Sequence, residues 1–138
     1  MYYLYFDGGS KGNPGKAGCG SVLYDNEMNE IDTVSSYCGD DKTNNYAEYS
    51  GLIVGIEMAL RHSIQLKDVV VRGDSLLIVK QCKGEFKVKH PNLLPLYSKL
   101  QQLVGKQLVS SAFNRVEHVY RTDNKRADQL ANIAMSSN

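Results

Sequence analysis

The stretch YFDGGSKGNPGKAG, residues 5–18, limits the possible folds of this 138-residue chain more than any other segment. Residues 2–7 are aromatic and apolar, as a strand requires. The run ends at Asp7, and Gly8, Gly9, Gly12 and Gly15 follow with Pro14 among them, so the chain turns sharply beside a carboxylate. Two further β-prone runs come next, residues 17–25 (AGCGSVLYD) and 30–38 (EIDTVSSYC), separated by the polar NEMN. Their spacing predicts an antiparallel hairpin, so the chain opens as a three-stranded meander. GDDKT, residues 39–43, reads as a loop.

After the meander the period changes. Asn45 followed by Glu48 approximates a capping box, and Leu52, Ile53, Ile56, Ala59 and Leu60 recur at helical spacing, which predicts a helix from Asn44 or Asn45 to about His62. The β-branched run VVV, residues 69–71, predicts a strand buried on both faces. Residues 75–83 fit a short helix stopped by Gly84, and 84–91 a connector. Residues 92–108 fit a helix with Pro95 in its first turn, 112–120 an alternating strand, and 124–135 a closing helix. The order βββαβααβα predicts an α/β domain over residues 1–138: a five-stranded mixed sheet, antiparallel in its first three strands and flanked by helices.

Composition removes several classes. With 42% hydrophobic and 22% charged residues the chain can build a core and is not disordered. A net charge of +1 gives no global signal for nucleic acid, but Lys80, Lys83, Lys87 and Lys89 cluster around Phe86, and Arg115, Arg121, Lys125 and Arg126 gather towards the C-terminus. Cys19, Cys38 and Cys82 lack metal or redox spacing and read as reduced thiols of a cytoplasmic protein. The N-terminus has no basic region of a signal peptide, and no apolar run reaches the roughly 20 residues of a membrane span. Phe86 reads as a core-plugging aromatic and His90 as a loop residue.

Four acids stand at element ends. Asp7 follows the first strand and Asp74 the fourth, and in α/β sheets ligands bind outside the carboxyl ends of strands. Glu48 shares a helical stripe with Leu52, Gly55 and Ala59, a face made to pack closely on the sheet. Asp128 flanks the apolar stripe Ala127, Leu130, Ala131 and Ala134. Each has a local explanation: turn bonding for Asp7, a capping box for Glu48, an N-cap for Asp74 and a helix dipole for Asp128. Gathered together, they repel. Two such charges about 4 Å apart cost about 4 kcal/mol at an effective dielectric near 20, which protons or cations must relieve. A set of hard oxygens suits Mg2+ or Mn2+ rather than zinc. Two such ions are the usual device for displacement at phosphorus.

YFDGGSKGNPG, TNNYAEYSGL, VRGDSLLIV and NKRADQLA strongly resemble, in order and spacing, the four motif blocks of type 1 ribonuclease H, and the match covers essentially the whole chain. The resemblance implies a ribonuclease H-like fold and hydrolysis of the RNA strand of an RNA–DNA hybrid, leaving 5′-phosphate and 3′-hydroxyl ends. It implies Asp7, Glu48, Asp74 and Asp128 as ligands of two Mg2+ or Mn2+ ions with substrate bound. Gly8, Gly9, Ser10, Asn13, Asn44, Asn45 and Ser75 match hybrid-contacting positions, and Thr43 matches the threonine that binds a phosphate of the DNA strand. No obligate protein partner is evident, and a monomer is expected. The alternative is a catalytically weak or inactive hybrid-binding module of the same fold.

Two segments depart from the pattern. Many members carry a mobile histidine before the last acid. Spacing points to His118, ten residues before Asp128, whereas aligning the strands puts Arg121 at that position; we favour Arg121, which cannot shuttle protons at neutral pH but can hold a phosphate. Residues 84–93 form a compact connector with Lys87 and Lys89 where some members insert a basic protrusion.

Overall fold

The computed structural model describes the backbone of residues 1–113 and 115–137, with side chains for 1–105 and 115–137. Strands β1 (Tyr2–Lys11), β2 (Gly15–Tyr24) and β3 (Glu30–Lys42) form the antiparallel meander. Helix α1 (Asn44–Arg61) leads to β4 (Val69–Gly73), then α2 (Leu76–Cys82), α3 (Leu94–Phe113), β5 (Val116–His118) and α4 (Lys125–Ser136). The sheet order is β3-β2-β1-β4-β5, with β1–β4 and β4–β5 parallel, the five-stranded mixed sheet expected of the chain.

The strand β2 shows how the layers divide. Ser21 donates its hydroxyl to the Gly51 carbonyl of α1. A Cβ on Gly18 or Gly20, whose sides alternate with Ser21, would strike α4 backbone within 2.8 Å. So α1 and α4 cover opposite faces. The main core lies on the α1 side, where Leu4 and Phe6 of β1 pack with Leu52 and Ile56 of α1, Ile78 of α2 and Leu100 of α3.

Several boundaries differ from expectation. The first strand does not end at Asp7 but continues to Lys11, because β2 pairs with the glycine-rich segment as far as Lys11↔Lys16. GDDKT is not a loop; all but Thr43 extends β3. The first helix is capped by the Thr43 hydroxyl, which accepts from the Tyr46 N–H (3.2 Å), so no capping box holds Glu48. Likewise Ser75, not Asp74, caps α2. The helix expected over 92–108 runs on to Phe113 and is interrupted at Gly105 (φ 69°), displacing the start of the strand expected at Ala112; Asn114 of that strand lies outside the described residues. Phe86 does not plug the core: it is 48% exposed, with the Lys80 ammonium over its ring. His90 is a connector residue whose Nδ1 accepts from the Asn92 N–H.

Candidate active site

The parallel ladder between β1 and β4 stops at Phe6↔Gly73. Asp7, still paired with Gly20 of β2, and Asp74, just beyond β4, are the next residues in the chain, so both lie at the same level where β1 and β4 part. Glu48 reaches them because α1 lies on β1 at backbone distance. A Cβ on Gly8 would sit 2.2 Å from the Ala47 carbonyl carbon, and one on Gly51 would sit 2.5 Å from the Asp7 carbonyl oxygen. Each glycine thus admits the backbone of the opposite element. Gly8 is therefore bare so that the helix backbone can approach.

Carboxylate oxygens of Asp7, Glu48 and Asp74 all lie within 4.8 Å of one another. Asp7 and Glu48 are buried, 6% and 7% exposed. The Gly8 N–H donates to Asp7 Oδ1 (2.9 Å), while Glu48 Oε2 is buried without a hydrogen-bond partner. Burial, then the neighbouring Asp74 charge, pushes the Asp7 carboxyl up to about 7. Burial, then Asp7, holds Glu48 well above the ordinary range, and the Arg121 guanidinium partly offsets this. Both shifts run in the same direction, because each buried carboxylate faces the charge of the other. An all-oxygen donor set, mutual repulsion and an orphaned buried oxygen together fit a hard divalent cation.

The acids open into a cleft of about 390 Å³ that is also lined by Gly8, Gly9, Ser10, Asn44, Asn45, Ser75, Arg121 and Asp128. Asp128 lies in the first turn of α4, outside the three-carboxylate cluster but near enough to raise Asp7. Arg121 begins a single 3-10 turn at the cleft wall, whereas His118 ends β5 opposite Gly73 and packs edge-on against Tyr120. Asn13 and Thr43 are not among the cleft-lining residues. Asn13 Oδ1 accepts from the Asn44 N–H (3.0 Å), and Asn44 Oδ1 accepts from the Ser10 N–H (2.8 Å), which ties the first hairpin to the start of α1. Thr43 borders a neighbouring groove with Lys42, Tyr46 and His90.

Sequence reasoning missed Asn124, which is 1% exposed and bonded to the site. Its only signal was an asparagine where a helix begins. It also missed Ala131, Asn132 and Met135 of α4 on the cleft wall.

The family model described as reverse transcriptase-like matches residues 5–134. RNase H1 of Halobacterium salinarum superposes with a TM-score of 0.85 at 34% identity, covering 99% of this chain and 98% of that one. The chain belongs to the type 1 ribonuclease H family. LC11 RNase H1, solved in complex with an RNA/DNA hybrid, gives a TM-score of 0.86 at 37% identity over 99% of this chain and 98% of that one. A bifunctional protein of Mycobacterium tuberculosis is 42% identical over 133 residues, 95% of this chain, which spans only 34% of that relative's length. Among the described residues, no helix is long and apolar enough to cross a membrane.

Proposed function

We propose that residues 1–138 form a single catalytic domain, a monomer, that hydrolyses the RNA strand of RNA–DNA hybrids endonucleolytically, leaving 5′-phosphate and 3′-hydroxyl ends. One observation carries the reading: three carboxylates converge within 4.8 Å, and one of their oxygens is buried and unpartnered. Family membership and the hybrid bound by LC11 RNase H1 supply the substrate class.

Asp7, Glu48, Asp74 and Asp128 are the residues that would hold Mg2+ or Mn2+. Bound there, such ions supply an activated water and charge neutralisation at the leaving oxygen. The protein's own part is orientation. Packing of α1 on β1 fixes Glu48 against Asp7. Gly9, Ser10, Asn44, Asn45 and Ser75 border the cleft with small and polar groups that suit a sugar–phosphate backbone. Asn13 supports Asn44 from behind, and Thr43, which caps the helix N-terminus, has a hydroxyl proton to offer a phosphate of the second strand. Arg121 holds a phosphate or the departing product through its guanidinium N–H groups.

The test is cleavage of an end-labelled hybrid with Mg2+ or Mn2+, beside Asp7→Asn and Asp74→Asn proteins. The wild type cuts only the RNA strand. Each variant folds, by circular dichroism, and leaves the hybrid intact. Cleavage retained by either variant ends the site assignment. Binding without cleavage by the wild type leaves the hybrid-binding module as the reading.

A further inference from the structure

Asn124 occupies the N-cap of α4, yet its side chain makes no capping bond to that helix. Asparagine at this position ordinarily accepts from the first-turn N–H groups. Instead its amide Nδ2 donates to the Phe6 carbonyl (2.9 Å) and to Asp74 Oδ2 (3.3 Å). Both partners are oxygens that accept, so the amino group must face them and Oδ1 must face away. That Oδ1 is buried without a partner. A buried polar atom left unsatisfied costs about 1–3 kcal/mol, and the local cap is lost as well. The residue therefore carries two local penalties for contacts it makes at a distance.

Those contacts lie where the acids need support. Phe6 is the last β1 residue on the parallel ladder and precedes Asp7. Asp74 is held directly. The Asn124 carbonyl accepts from the Asp128 N–H (3.1 Å), which places that acid one turn along α4. A single buried residue thus joins β1 at Phe6 and the carboxylate beyond β4, through its side chain, to the helix bearing Asp128, through its backbone.

We infer that Asn124 is a positioning residue for metal binding: its amide fixes the Asp74 carboxylate against the end of β1 so that the free oxygen faces Asp7 and Glu48. Donors behind a ligating carboxylate commonly change metal affinity about 10–100-fold. The inference rests on the proposed metal site but not on which phosphodiester is cut.

Mn2+ binding by calorimetry tests it without any turnover, in wild type, Asn124→Ala and Asn124→Ser, each also combined with Asp74→Asn. We expect Mn2+ affinity to fall about 10–100-fold in the single variants. In the Asp74→Asn background the further loss should vanish, because the two residues act as one unit. Hybrid cleavage should need correspondingly more Mn2+, with KM for hybrid at saturating metal unchanged. Unchanged Mn2+ affinity in a folded variant overturns the inference, as does a full additive loss beside Asp74→Asn. Unfolding of both variants also overturns it, by making Asn124 a structural clamp. A wild type that binds Mn2+ but leaves hybrid uncut removes the nuclease reading and leaves this inference standing.

Discussion

Asp7 bears on both folding and cation binding. Its carboxyl titrates near 3.8 when exposed and is raised to about 7 in the folded chain. The folded state therefore holds a proton that the unfolded state has released over that interval. Stability without metal is complete below about pH 4, falls as pH rises towards 7 and levels off above it. Glu48, raised by burial and then by Asp7, acts in the same direction. Urea unfolding of the metal-free protein across that range should show the fall, and Asp7→Asn should flatten it. Added Mg2+ should restore stability at pH 8 and do little at pH 4, where protons occupy the oxygens the cation needs. At this scale the sequence was informative: it singled out Asp7, Glu48 and Asp74, three acids whose oxygens the fold brings within 4.8 Å of one another. The upward shift of Glu48 was not legible, because it arises from burial between α1 and β1, which only the packed structure produces.

Between elements, the decisive contact is that of α1 on β1. Gly8→Ala would drive a methyl into the Ala47 and Glu48 backbone, whereas a Cβ on Gly9 meets nothing closer than the Met135 methyl at 3.6 Å. Gly8→Ala should cost about 1–3 kcal/mol in urea unfolding and weaken Mn2+ binding. Gly9→Ala should leave both nearly unchanged. Equal effects would mean the helix yields easily. Element type and order were readable, because helical and alternating periods differ clearly in α1, β2 and α4. Boundaries were less so. Glycine-rich residues 8–11 look like loop chemistry, yet β2 offers them a ladder, and cross-strand bonds outweigh local preference. Thr43 outcompetes Asn45 as cap because its hydroxyl meets the Tyr46 N–H, a matter of backbone direction that residue type does not reveal.

For the molecule as a whole, charge is nearly balanced while its placement is not. A net charge of +1 accompanies an acidic cleft with Arg121 on its wall. Affinity for hybrid should therefore depend on a few local cations and decline with salt, log Kd tracking log salt with a slope near 0.9 per phosphate contacted. Fluorescence anisotropy with a catalytically silent Asp74→Asn protein would measure it. Arg121→Ala should reduce the slope by about one. An unchanged slope would place Arg121 away from the phosphates. The mixed sheet with its antiparallel first three strands was legible from the order of elements, whereas the strand order β3-β2-β1-β4-β5, which makes β1 central, came only with the structure. So did the cleft wall supplied by Ala131, Asn132 and Met135, because it depends on α4 crossing the far face.

The paired glycines at 8 and 51 leave no side chain between helix and strand to act as a spacer. The gap separating Glu48 from Asp7 is consequently a backbone dimension, and swapping one rotamer or core residue for another cannot trim it by degrees. Such a gauge either closes or fails, which confines gradual variation among sequences of this shape to the rim, where reach and grip on the strand can drift while the spacing of the acids stays the same.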